Sequence, residues 1–374
     1  MKIFNASSRS DYGQGVRVFI AFSDYWIGLS SIADKQVAPT SDLPDSTFHE
    51  EHFYSYVGED QVSIDTIISH ESASLTLSIV SYCLNDSALV VTEERKKDGN
   101  RQKIYRHFHN GRIQVDVAEG EEIKYFEFDK MLFAGAISKQ MVMECPRPWI
   151  DLLYVDASNG ILVLSALFCV PETDDCYDAV AIVNYKSGEL ISVNGHGGFW
   201  CDSEVQFYPP SYFLTCEGLY TFSGNELVSF EGKHVVMAER FDYNHFLLVV
   251  DPIISQEWSV DENGNKRYSE ERDEKSDNAF ALSTEGDTLF TFRYDGFYQV
   301  LGYQSPSYSD GFVIYLFDFQ NGIYIKVDGE GFDRKKLEAI GEQNQWANAK
   351  RIVVPTEMAE MKLILIDSQM FYDE

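Results

Sequence analysis

The stretch "AVAIVNYKSGELISV", residues 179–193, decides how the chain is read. An apolar run at 179–183 meets a turn at Ser187-Gly188. A second run follows, opening on a polar residue and then Leu190 and Ile191. Both runs have strand length and are bounded by turn residues. The composite recurs as "GLYTFSGNELVSF" at 218–230 and "FVIYLFDFQNGIYIKV" at 312–327. Gly188 and Gly224 stand 36 residues apart, and Gly322 lies 98 further on.

The rest of the chain has the same texture. Runs such as "VRVFIAF", "SLTLSIVSYCL", "RIQVDV", "ILVLSALFCV", "HFLLVVD" and "TLFTFRY" are short and rich in β-branched or aromatic residues, which favour strands. Asn110-Gly111, between "KIYRHFH" and "RIQVDV", is the strongest hairpin signal, because a type I′ turn needs positive φ at both central residues. One helix is expected, "DRKKLEAIGEQ" at 333–343, with Asp333 as its N-cap. The segment 256–278 is charged and almost devoid of core residues, and reads as an exposed hairpin or loop insertion.

The repeating unit resembles the outer hairpin of a β-propeller blade, a four-stranded sheet of about 40–50 residues. The expected fold is therefore all-β: a single-domain, propeller-like chain over 1–374, with about six or seven irregular blades and one short C-terminal helix. Two β-sandwich domains are the alternative.

Charge is the strongest global signal. Lys and Arg total 30 against 60 Asp and Glu, a formal net charge of −30. Such a field repels nucleic acid and anionic membranes and attracts cationic partners. Residues 36–94 contain eleven acidic side chains and no Lys or Arg, while positive charge gathers at 95–112 and 334–336. Six cysteines, Cys83, Cys145, Cys169, Cys176, Cys201 and Cys216, form no C-x-x-C pair, and several lie in apolar runs. They read as free buried thiols of a reduced, cytoplasmic protein. No apolar run reaches the length of a membrane span.

Motifs of chemistry are sparse. "GHGG" at 195–198 sets His196 among glycines, but neither a helix pattern nor a lysine follows, as a phosphate cradle would need. It reads as a connection between strands. "HEEH" at 49–52 places its histidines at i and i+3, where the helical zinc motif needs i and i+4. His107 and His109 would share a strand face and could share a metal, although Arg106 and Arg112 oppose a cation there. No G-x-S-x-G elbow is present. Asp156, Asp251 and Asp318 end apolar runs and could face a central channel, but Asp at a strand end also serves turns.

Acidic and aromatic residues occur together in three segments. They supply the candidate partner-binding residues: Glu50, Glu51, Tyr54, Tyr56, Glu59 and Asp60, then Asp174, Asp175 and Tyr177, then Trp200, Asp202 and Glu204. Aromatics anchor interfaces, and carboxylates around them steer a basic partner. The expected function is a non-enzymatic binding module, an acidic inhibitor or immunity-type protein that occludes a basic toxin or enzyme. No metal or cofactor and no nucleic-acid or membrane partner is expected, and the chain is expected to be monomeric before binding. A propeller hydrolase using channel carboxylates and a scaffold for several partners are the alternatives.

Overall fold

Alternate residues of the central strands face two different cores, and this places the six main sheets among the described residues. The computed structural model describes residues 49–55, 61–70, 73–97, 100–173, 175–198, 201, 203–209, 211–260, 266–296, 306–339, 350–355, 360–366 and 369–372. Among them are six four-stranded sheets. Sheet 1 contains Val62–His70, Ala73–Cys83, Gly111–Glu119 and Glu122–Asp129. Sheet 2 contains Trp149–Asp156, Ile161–Cys169, Cys176–Asn184 and Glu189–Gly198. Sheet 3 is small: Gln206–Tyr208, Tyr212–Leu214, Gly218–Thr221 and Glu226–Ser229. Sheet 4 has His234–Arg240, His245–Asp251, Ala279–Ser283 and Thr288–Phe292. Sheet 5 has Ser307–Asp310, Val313–Asp318, Ile323–Asp328 and Gly331–Lys336. In these five sheets each strand pairs antiparallel with its neighbour in chain order. Sheet 6 has Lys350–Pro355, Glu360–Ile366 and Gln369–Tyr372, with Glu338–Ala339 added parallel to the last.

In sheet 2, Leu162, Leu164, Ala166 and Phe168 join a core with sheet 1 residues such as Leu77, Ile79, Ile113 and Val115. Their sequence neighbours Ile161 and Val163, with Val180 and Ile182, pack instead with Phe213 and Tyr220 of sheet 3. Sheet 4 divides likewise: Phe246 and Leu248 face Leu214 and Leu219, while Leu247 and Val249 face Ile314 and Leu316. Tyr315 and Phe317 then face Leu363 and Leu365 of sheet 6. The sheets therefore stack face to face in chain order. The period-2 side-chain alternation of a strand explains the unbroken apolar runs, since both faces are covered. A one-residue slip would exchange the two cores.

Two insertions leave this stack at equivalent points, between the second and third strands of a sheet. From sheet 1, Leu89–Lys97 and Asn100–Phe108 form a hairpin, and His49–Tyr54 adds parallel to Asn100–Phe108. From sheet 4, Ile253–Val260 pairs with Lys266–Arg272. After sheet 1 come a 3-10 turn, Lys130–Gly135, capped by Asp129, and the short helix Lys139–Glu144, capped by Ser138. Buried Lys130 donates from Nζ to the Met143 and Cys145 carbonyls, at 3.1 and 2.5 Å, which ties the two together. No described helix is long and apolar enough to cross a membrane.

Two local expectations are corrected. The helix at 333–343 is not formed over its first half: Gly331–Lys336 is a strand paired with Ile323–Asp328, and 340–349 lies outside the described residues. The turn at Asp328, where Glu330 N donates to the Asp328 carboxylate at 3.0 Å, sets the hairpin register and buries Leu337 in the sheet 5–sheet 6 core. That packing outweighs the helix propensity of the segment. Asn110-Gly111 makes no hairpin either, for the strands on its two sides belong to different sheets. Gly111 is needed for close approach: a Cβ there would lie 2.8 Å from the Pro146 carbonyl oxygen. By contrast Gly188, Gly224 and Gly322 adopt φ of 76°, 86° and 62° in true hairpin turns.

Phe168 is fully buried between sheets 1 and 2, whereas Ile67 of sheet 1 is 70% exposed. Phe168→Ala should lower the unfolding free energy by about 3–5 kcal/mol, and Ile67→Ala by no more than about 0.5 kcal/mol. Urea denaturation of both variants checks the assignment of faces.

Candidate functional site

The residues 195–198 that looked like a loop complete the strand Glu189–Gly198. Gly195 packs against Glu217, where a Cβ would lie 3.0 Å from Cγ, and Gly197 has φ 134° beside Cys216. The His196 carbonyl accepts from Cys216 N at 2.9 Å. Burial lowers the His196 pKa to about 4, outweighing a hydrogen bond to the Ser203 backbone and the charge of Glu204. Its Nδ1 is buried with no partner. His196 is thus a neutral packing residue at pH 7, set beneath the connection from sheet 2 to sheet 3.

That connection is also fixed covalently. Cys201 and Cys216 form a disulfide, and Cys169 and Cys176 form a second across the hairpin of sheet 2. The expectation of free thiols fails for these four, and Cys83 and Cys145 alone are free. Strand register explains the Cys169–Cys176 link: the two residues are direct cross-strand partners, with Cα atoms 4.1 Å apart.

The connection leads into a pocket of about 640 Å³. Ser203, Glu204 and Gln206 form one wall, Glu239 and Arg240 of sheet 4 a second, and Ser307 and Ser309 of sheet 5 a third. The leading strands of three consecutive sheets meet here. Ser203 Oγ accepts from Ala238 N at 2.9 Å, which holds the first wall to the second. Ser309 Oγ donates to the Glu239 carboxylate at 2.8 Å, which holds the third. Burial raises the Glu239 pKa, and Glu204 adds to the rise. Hydrogen bonds from Ser309 and Gln206, with the Arg240 charge, oppose it. The Arg240 guanidinium donates to the Phe207 carbonyl at 2.8 Å and lies over the Tyr208 ring, 5.3 Å from its centroid.

Among the described residues expected to bind a partner, Glu204 alone lines this pocket. Asp175 is exposed beside the Cys169–Cys176 disulfide. Tyr177 donates its hydroxyl to Glu217 and so ties sheet 2 to the Cys216 turn. Glu50, Glu51 and Tyr54 lie on the edge strand of the sheet 1 insertion. Tyr56, Glu59, Asp60, Asp174, Trp200 and Asp202 lie outside the described residues. The charge segregation of the sequence is partly undone by the fold: the register sets Glu50 opposite Lys103, and Glu93 pairs with Arg95 and Arg106 at 2.9 and 3.1 Å. Asp156 and Asp318 accept from Asn159 and Asn321 in turns, and Asp251 pairs with Arg272, so none of the three lines the pocket.

Gln206, Glu239, Arg240, Ser307 and Ser309 escaped notice in the sequence. The legible trace was "HVVMAER", 234–240, where a buried run ends on two charges. Among the described residues no group of three or more His, Cys, Asp or Glu is arranged to hold a metal. No protein-family model matches the chain, and no curated protein matches it.

Non-reducing digestion should release the two peptide pairs joined through Cys169–Cys176 and Cys201–Cys216 and leave Cys83 and Cys145 free to alkylate. Cys201→Ser with Cys216→Ser opens a link spanning 15 residues. It should cost about 3 kcal/mol of stability on the loop-entropy estimate.

Proposed function

We propose that the chain is a binding module for a basic protein partner, of the inhibitor type, and that it takes a cationic side chain of that partner into the pocket between sheets 3, 4 and 5. One observation carries the reading. Two glutamates line the pocket, Glu239 is largely desolvated, and the neighbouring cation, Arg240, is engaged with the Phe207 carbonyl and the Tyr208 ring. A desolvated carboxylate gains most from an incoming ammonium or guanidinium, and the net charge of −30 steers such a partner inward.

The stacking of the six sheets in chain order, and the meeting of three leading strands at the pocket, favour a propeller-like ring in which the pocket lies toward the axis. The two disulfides favour an oxidising compartment over the cytoplasmic one that composition suggested.

A hydrolase is the second reading. It is favoured by the raised pKa of Glu239 in a pocket that a second carboxylate, Glu204, also lines, since a carboxyl group with a raised pKa suits general-acid work.

The test is affinity capture from the native host with the full chain and with a Glu204→Gln/Glu239→Gln variant, at low and high salt. A basic protein should be retained, released by salt, and bound at least about tenfold more weakly by the variant. Retention indifferent to salt and to both substitutions would overturn the binder. Hydrolysis of a glycoside panel that is lost with Glu239→Gln would establish the second reading in its place.

A further inference from the structure

Two motifs stood out in the sequence for their histidines, "HEEH" at 49–52 and "HFH" at 107–109. Neither acts as a unit. His109 turns inward and is buried, with Nδ1 accepting from Ser87 N at 2.9 Å. "HEEH" is an extended strand, not a helix. The parallel register of His49–Tyr54 on Asn100–Phe108 instead joins one histidine from each motif. His52 lies opposite Tyr105, and Tyr54 lies opposite His107. His52 Nδ1 and His107 Nε2 come within 3.0 Å of each other at the surface.

We propose that His52 and His107 form a cross-strand site for a divalent transition ion of the imidazole-preferring kind, Ni2+ or Cu2+, with water completing the coordination. Two nitrogens each about 2.1 Å from one ion and 3.0 Å apart subtend about 90° there. That is the angle of adjacent ligands in square-planar or octahedral coordination. It does not suit the tetrahedral angle of structural zinc. Without the ion one ring N–H donates to the facing ring nitrogen; with the ion both facing nitrogens present lone pairs, and the displaced proton moves by exchange with solvent to the other nitrogen of its own ring.

The surroundings fix both rings. His52 stacks on Tyr105 at 4.7 Å and His107 on Tyr54 at 4.5 Å between centroids. Glu50, on the same face two residues before His52, accepts from the Tyr105 hydroxyl at 3.4 Å. It offsets the Lys103 ammonium, which lies 5.0 Å from the centroid of the Tyr105 ring. Arg106, the cation that argued against a metal in the sequence, alternates to the other face. There it pairs with Glu93 and lies over Phe53. Since the two histidines come from strands 55 residues apart, a bound ion would clamp the edge strand onto the insertion.

The test is calorimetric titration of NiCl2 into the untagged full chain, with MgCl2 as the hard-cation control. One equivalent should bind. His52→Ala and His107→Ala should each weaken binding by at least about tenfold, the least that even changes around a metal ligand cost. His234→Ala, an exposed histidine of sheet 4, should leave it unchanged. Circular dichroism of the two variants identifies any loss that comes from misfolding. Nickel raising the resistance of the 49–54 strand to limited proteolysis, in the wild type but not in His107→Ala, then gives a second readout. Binding of nickel that survives both substitutions in folded protein, or no binding at all, would overturn the proposal.

Discussion

The structure depends on one constraint: a strand covered on both faces must send alternate side chains into two different cores. Leu162, Leu164 and Ala166 belong to one core, and Ile161 and Val163 to the next. Register, sheet order and the face-to-face stack follow from it. Among the described residues none of the six sheets has a core of its own. The strand pairs of sheets 2 to 5 are stable because neighbours on both sides bury them, while sheets 1 and 6 pack through one face, so the six sheets are mutually dependent. The insertions escape the rule. The strand Asn100–Phe108 buries Ile104 on one face and leaves Tyr105 and His107 half exposed on the other. That is why polar chemistry can collect on it.

The same constraint explains where the pocket lies. Second and third strands are filled by packing and have no room for function. The leading strands of sheets 3, 4 and 5 carry polar residues at the pocket, Gln206, Glu239, and Ser307 with Ser309. Polar side chains can turn there toward a shared space. The pocket walls are then held by a few specific bonds, Ser203 to Ala238 and Ser309 to Glu239, and by the Cys201–Cys216 link behind them. His196, which the sequence sets among glycines, belongs to this support. Its ring is hydrogen-bonded to the backbone of Ser203 in the connection that also carries Glu204.

The middle strands were legible in the sequence because double burial writes itself as an unbroken apolar run, as in "AVAIV" and "ILVLSALF". The hairpin turns at Gly188, Gly224 and Gly322 were legible because positive φ selects glycine there. What local pattern cannot encode is the pairing of distant segments. Cys169 and Cys176 become partners through register, and Cys201 and Cys216 through the return of the chain at Thr215–Gly218. Asn110-Gly111 carries the composition of a turn, but tertiary contact with Pro146 explains its glycine. The helix expected at 333–343 had suitable residues and lost to a hairpin that buries Leu337. Glu204 was found through its acidic, aromatic neighbourhood. Glu239 lay unmarked at the end of an apolar strand, because its significance comes from two other sheets.

Amide hydrogen exchange read by mass spectrometry on the intact chain tests the mutual-burial account most directly. The slowest amides should be those of Ile161–Cys169, Cys176–Asn184, His245–Asp251 and Val313–Asp318, which have cores on both faces. Those of His49–Tyr54 and Ile253–Val260 in the insertions should exchange much faster. Equal protection across insertions and middle strands, or slow exchange confined to one sheet, would contradict a stack in which each sheet is held by its neighbours.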